Sequence, residues 1–191
     1  MRRYGRRHGI NFIGFIFLLL IVVATKSGWL EKPAQLAQQN QPGLYRVIKD
    51  VDGDTITVDM NGHTETVRFI GIDTPETHRP NTPVQCYGPD AAAFTKSQVE
   101  NTSVRLQADS LDTNRDRYGR LLRYVYLQDG SLLQDKLVTD GYAFAYTQFP
   151  FEMKASIVSE ETAAKAAGKG LWSACQVTKE ANGREQTNAA Q

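Results

Sequence analysis

VRFIGIDTPE, residues Val67 to Glu76, is the stretch from which the fold of this chain can be worked out. Val67, Phe69 and Ile70 are β-branched or aromatic and suit a pleated, half-buried surface. Arg68 lies between Val67 and Phe69, so the period of two along a strand sends its side chain to the opposite face. Pro75 fixes its own φ and pushes Thr74 out of the helical region, so the strand ends near Asp73. A carboxylate, a hydroxyl residue and a second carboxylate (Asp73, Thr74, Glu76) therefore gather beside a guanidinium. Placing such groups at the end of a core strand is costly unless an ion or anion joins them.

Before this stretch, LYRVIKDVDGDTITVDM (Leu44 to Met60) reads as strand, acidic turn, strand. Asn61-Gly62 follows, a strong hairpin signal because a type I′ turn needs φ > 0 at both central residues. Asp54 starts the strand carrying Ile56, Val58 and Met60, and Asp73 ends its partner; the two become neighbours only if the sheet curls, as small barrels do. After it, Gly88-Pro89-Asp90 opens a helix carrying Ala91, Ala92, Phe94 and Val99. SVRLQAD alternates as a half-buried strand, SLDTNRDRYGR is a polar loop and LLRYVYL is a further strand. Ser131 and Gln134 form a capping-box signature for a helix to Thr139, with Gly141 as its stop. A last helix is expected from about Glu152 to Ala167, with Met153, Ile157, Ala164 and Ala167 facing inward. GLWSAC closes the domain, and the small polar segment 177–191 reads as a disordered tail. Short strands with helices between and after them predict an α+β chain: a five-stranded OB-fold-type Greek-key β-barrel with about three α-helices.

The N-terminus has a different character. MRRYGRRHG is positively charged, and the apolar run Ile10 to Ala24 falls short of the ~20 residues of a spanning helix. It matches the ~7–15 residues of a signal-peptide core. Residues 1–24 are therefore a cleaved signal peptide or an uncleaved membrane anchor. Either places the remainder outside the cytoplasm, secreted or tethered to the membrane, because the arginines stay inside. Residues 25–43 are Gln-rich and bounded by Pro and Gly, a linker to a domain over 44–176. The net charge of +1 includes Arg2, Arg3, Arg6 and Arg7; without them it is −3. Bulk charge thus gives no basic nucleic-acid binder, and any such partner is engaged through a local patch or a bound cation.

Three motifs bring acid, base and cation together: DGDT (Asp52 to Thr55), RFIGIDTPE (Arg68 to Glu76) and DRYGR (Asp116 to Arg120). Singly, each has a plain explanation as a hairpin turn, a strand end or a charged loop. Their order, spacing and strand context, with YGPDAAAF after the acidic corner and LW near the end, resemble the staphylococcal nuclease (thermonuclease) family from about Tyr45 to Trp172. The resemblance implies a hydrolase that cuts phosphodiester bonds of DNA and RNA as a monomer and leaves 3′-phosphate ends. It assigns Ca²⁺ to the carboxylates of Asp54 and Asp73 and the carbonyl of Thr74, hard oxygen donors that suit that ion. It assigns Glu76 to the attacking water, and Arg68 and Arg120 to the phosphate, where planar bidentate donors fit. Arg117 and Tyr118 match positions contacting a neighbouring phosphate. In YAFAYTQFPF, Tyr146 or Phe149 could stack a base, which favours unpaired strands without reading sequence.

Cys86 and Cys175 are the only cysteines. In an exported protein such a pair predicts a disulfide tying the chain end to the domain, two free thiols being the alternative. A different class of function is a non-catalytic binding module for nucleic acid or calcium at the cell surface. Such a copy is expected to lose some of Asp54, Arg68, Asp73, Glu76 and Arg120, and this chain keeps all five.

Overall fold

The structure, a computed structural model, describes residues 43–79 and 82–190. The signal or anchor expected over 1–24, and the linker expected over 25–43 except for Gly43, lie outside the described residues. The chain runs β1 (Leu44–Asp52), β2 (Thr55–Met60), β3 (His63–Phe69), β4 (Ile72–Asp73), α1 (Gly88–Val99), β5 (Ser103–Gln107) and β6 (Leu121–Tyr126). It continues through α2 (Leu133–Thr139), β7 (Phe144–Ala145), α3 (Lys154–Ala166), α4 (Leu171–Ala174), β8 (Val177–Lys179) and β9 (Glu185–Thr187).

Strands β1-β2-β3-β6-β5 close into a barrel. The β2–β3 hairpin turns at Asn61 and Gly62, with φ of 56° and 87°, as the turn chemistry requires. Its register sets Thr55 opposite Arg68 and Met60 opposite His63. β6 returns after α1 and β5 to lie parallel to β3, with Val67 opposite Leu121 and Arg68 opposite Leu122. Ile56, Val58, Val67, Val104 and Val125 fill the interior, and Leu133, Leu137 and Val138 of α2 with Ile157 of α3 extend the same core. Each such side chain taken fully out of water contributes about 1.5–3 kcal/mol.

Four helices are present among the described residues, the extra one being the four-residue α4. The capping box expected at Ser131 does not form: Ser131 turns back to the Asp129 carboxylate, and Leu132 is the N-cap. Gln134 is instead buried, accepting from the Val125 amide at 3.1 Å and donating to the Arg123 carbonyl at 3.0 Å. A buried backbone group left without a partner costs about 1–3 kcal/mol, so these bonds outweigh a surface cap. Ile157 and Ala164 face inward on α3 as expected, whereas Ala167 is exposed just past its end.

The largest departure is at the C-terminus. The segment expected to be a disordered tail forms the β8–β9 hairpin, with Val177 opposite Thr187. It is stitched to the domain by a bridge between Gln85 and Ala189, by Cys86 N–H to the Asn188 carbonyl at 2.7 Å, and by Ala190 N–H to the Val84 carbonyl at 2.8 Å. Cys86 and Cys175 are bonded, with Cα atoms 5.9 Å apart. The hairpin thus gains from a covalent tie and backbone pairing what its polar composition cannot supply by burial.

Candidate active site

Closure of the barrel brings the acidic turn before β2 against the end of the opening stretch. The Asp54 carbonyl accepts from Phe69 N–H at 3.0 Å, which continues the β2–β3 ladder by one residue. Gly53 lies so close to Thr74 that an added Cβ would meet its side chain at 2.8–2.9 Å, so the DGDT turn needs glycine there. The chain turns at Ile70-Gly71 into β4, and Thr74 then donates its amide and hydroxyl to Asp54 Oδ2 at 2.9 and 3.1 Å. Asp54 Oδ1 accepts from Thr55 Oγ1 at 2.9 Å.

Arg68 spans the two carboxylates. Its Nη2 lies 3.1 Å from Asp54 Oδ2 and 2.9 Å from Asp73 Oδ1. Its Nη1 donates to the carbonyls of Phe69 at 3.0 Å and Ile72 at 2.8 Å. Asp54 and Asp73 are buried, at 6% and 7% exposure. Burial pushes the Asp73 carboxyl above its ordinary range, Arg68 and Arg184 pull against that, and Asp54 adds to the rise. A buried ionic set of this kind adds little stability over well-packed apolar residues of the same volume, so its presence points to chemistry.

Two residues join this cluster that sequence reasoning did not place in it. Asp52 accepts from Gly53 N–H and Thr77 Oγ1, both at 2.9 Å. Burial, then the charge of Asp54, push its carboxyl up to about 6. Its signal was visible as the first acid of DGDT. Arg184, from the C-terminal hairpin, donates Nε to Asp73 Oδ2 at 2.7 Å. Asp54 and Asp73 are thus matched by Arg68 and Arg184, with Asp52 a third acid beside them.

The other predicted residues sit around this centre. Glu76 is half-buried; Oε1 accepts from Thr77 N–H and His78 N–H at 3.1 Å, and Oε2 pairs with Arg79 Nε at 3.1 Å. Arg120 precedes Leu122, the register partner of Arg68, by two residues. Its guanidinium is held by Asp116, with Nε and Nη2 both 2.7 Å from Oδ2. Arg117 donates to the Tyr118 hydroxyl at 2.6 Å, and Arg120 lies 5.5 Å from the Tyr118 ring centre. Among the described residues no hydrogen bond or ion pair joins this loop to the Asp54–Asp73 cluster. Tyr146 lies half-buried in a cleft beside Asp73, with the exposed Phe149 ring 6.1 Å from its own.

Among the described residues no three His, Cys, Asp or Glu side chains converge as a closed metal cage. The donors that do meet are carboxylate oxygens: Asp54 Oδ1 and both Asp73 oxygens each accept once and keep a lone pair, whereas Asp54 Oδ2 is filled by Thr74 and Arg68. An unsaturated all-oxygen set of this kind fits a hard cation that keeps waters or a phosphate oxygen among its ligands.

Residues 66–174 match the family model described as staphylococcal nuclease homologue. The chain is 41% identical over 165 residues to "Thermonuclease" of Staphylococcus hyicus, covering 86% of this chain and 95% of that one. It is 45% identical over 127 residues to "Thermonuclease" of Staphylococcus intermedius, covering 66% of this chain and 73% of that one. It is 46% identical over 115 residues to "Endonuclease YncB" of Bacillus subtilis (strain 168), covering 59% of this chain and 54% of that one. With the closed five-stranded barrel and the acid–arginine cluster at its mouth, these matches make the chain a member of the staphylococcal nuclease family, a nuclease that hydrolyses nucleic acid.

Proposed function

We propose that the protein is a calcium-dependent nuclease acting outside the cytoplasm on DNA and RNA, with unpaired strands preferred and 3′-phosphate ends as product. The observation that carries this reading is the buried pair Asp54–Asp73 beside Arg68, Thr74 and Asp52. Ca²⁺, held by Asp54, Asp73 and the Thr74 carbonyl, would supply charge neutralisation and polarisation of the phosphoryl group. Glu76 orients the attacking water and accepts its proton, once its carboxylate swings from Arg79. The water oxygen bonds to phosphorus, the bond from phosphorus to the 5′ oxygen breaks, and that oxygen leaves as a hydroxyl with a proton from solvent, to which Glu76 then releases its own. Arg68 and Arg120 donate to the equatorial oxygens, where charge builds up. For Arg120 this means exchanging Asp116 for phosphate, a like-for-like swap of anionic partner.

Arg117 and Tyr118 bind a neighbouring phosphate of the substrate, and the Tyr146 ring stacks on a base. Stacking is worth about 1–3 kcal/mol per base and tolerates any sequence, which supports the preference for unpaired strands. The protein acts as a monomer, and any membrane contact is through residues 1–24 alone.

The test is incubation of purified protein with heat-denatured DNA, in calcium or in chelator. Degradation in calcium alone is the expected result. Binding without degradation would replace the enzyme with a binding module, and undiminished degradation in chelator would remove calcium. Affinity should also fall steeply with salt.

A further inference from the structure

We propose that the C-terminal hairpin forms one wall of the substrate cleft and that Arg184 on it grips a backbone phosphate next to the one being cut. This rests on the nuclease reading of the Asp54–Asp73 cluster. A shallow, open cleft lies beside Asp73, lined by Tyr146, Thr147 and Gln148 and by Gly183 and Arg184. It adjoins Asp73 of the proposed cation site, so a strand bound there can extend into it. Arg184 uses Nε on Asp73, while Nη1 and Nη2 donate no hydrogen bond to any described residue. A guanidinium anchored at Nε, with both amino groups unbonded among the described residues, is set for bidentate contact with phosphate oxygens.

The wall is fixed in place. The Cys86–Cys175 bond holds its base, Gln148 Nε2 donates to the Asn182 carbonyl at 2.9 Å across the cleft, and the Arg184 amide donates to Asn182 Oδ1 at 2.8 Å. Two acids line the cleft and oppose a phosphate, and both are compensated. Asp73 is shared by Arg68 and Arg184, and Glu185 pairs with Lys165 at 3.7 Å. The Tyr146 ring, half-buried at the opposite side, offers a face for the base carried by the same nucleotide.

The experiment compares kcat/KM at saturating calcium for a single-stranded oligonucleotide and for a minimal substrate with one phosphodiester. In Arg184→Met the advantage of the long substrate should shrink about tenfold, chiefly through KM, while the minimal substrate changes much less. If Arg184 only positions Asp73, both substrates lose rate equally; if it only blocks the site, both gain. Either outcome overturns the proposal. Should Arg184→Met not fold, Arg184→Lys keeps a cation beside Asp73 and loses the fork, and the long-substrate advantage should still fall about threefold. Fluorescence polarisation of a labelled oligonucleotide in chelator gives a readout without turnover. The slope of log affinity against log salt should lessen by about 0.7 in Arg184→Met, the value for one phosphate contact to a single strand. An unchanged slope would overturn the proposal. Wild-type protein that degrades DNA while Arg184→Met matches it on both substrates removes the hairpin contact and leaves the nuclease reading standing.

Discussion

Replacing Arg68 by methionine tests the cluster most directly. The substitution removes the cation that lies 3.1 Å from Asp54 and 2.9 Å from Asp73 and leaves the carbonyls of Phe69 and Ile72 without their side-chain donor. Breaking a buried pair by deleting one partner costs about 3–5 kcal/mol. Arg184 still touches Asp73, and the Arg68 side chain is 12% exposed, so the lower end of that range applies. At roughly 2–4 °C per kcal/mol for a domain of this size, Tm should drop by about 6–12 °C in chelator. Arg68→Lys retains a charge and loses the fork that reaches four acceptors at once, so its drop should be smaller. Thermal denaturation followed by tryptophan fluorescence measures both. Calcium should raise Tm more in Arg68→Met than in wild type, because a cation between Asp54 and Asp73 replaces the lost charge. Both variants should lose about 10²–10³ in kcat, the usual loss for one donor to a developing oxyanion. If Arg68→Met melts with the wild type in chelator, the cluster is not held by Arg68. A lysine variant with wild-type kcat would show that the fork plays no part in the reaction.

Glu76→Gln should lose on the order of 10²–10⁴ in kcat, as for a missing general base, with Tm nearly unchanged. Its ion-pair partner Arg79 is 44% exposed, and pairs of that kind contribute little. Wild-type cleavage by this variant would take Glu76 out of the mechanism. Changing both Cys86 and Cys175 to serine opens a loop spanning 89 positions, which the chain-entropy model equates to about 4.6 kcal/mol at most. Hydrogen exchange should speed up first over 177–190, and unchanged protection there would show that the hairpin stands without its covalent tie. Asp135→Asn tests a second acidic pair, because burial and then Glu160 push the Asp135 carboxyl up to about 6. Between roughly pH 4 and 6 the native chain holds that proton more tightly than the unfolded chain, so this group's contribution to stability falls as pH rises. The asparagine variant should therefore be more stable than wild type at pH 7, on the order of 1 kcal/mol after solvent screening, and gain less at pH 4. An equal difference at both pH values would refute the assignment.

The barrel was legible because its signals are local and agree with one another. Asn61-Gly62 fixes the β2–β3 register, and that register alone sets Thr55 opposite Arg68. Asp54 and Asp73 then meet through closure of the sheet. Where local signals competed with burial, burial prevailed: Gln134 left its capping role to satisfy Arg123 and Val125 in the core. The C-terminus failed for the opposite reason. Asn182-Gly183 is the same dipeptide that marks the first hairpin, yet its flanks carry almost no apolar residues. Composition argued for disorder, while the structure compensates through Cys175 and through backbone pairing with residues 84–86. Pairing across 101 positions, as between Thr187 and Cys86, leaves no trace in a local window.

That missed hairpin alters the electrostatics of the site. With Arg68 alone, Asp54 and Asp73 would leave one negative charge; Arg184 offsets it and leaves Asp52 as the excess acid of the cluster. A further guanidinium weakens the attraction of the carboxylates for a dication and strengthens the attraction of the loaded site for a polyanion. The two effects have opposite signs, which separates them experimentally. Arg184→Met should bind calcium more tightly in the absence of nucleic acid and bind a single-stranded oligonucleotide more weakly. Calorimetric titration of calcium, beside polarisation of the labelled strand in chelator, reads the two independently. Tighter binding of both would mean that Arg184 only obstructs the site, and weaker binding of both would mean that it only orders Asp73. The opposed shifts are expected of a cation that faces both the cation site and the substrate, as Arg184 does from its bond to Asp73.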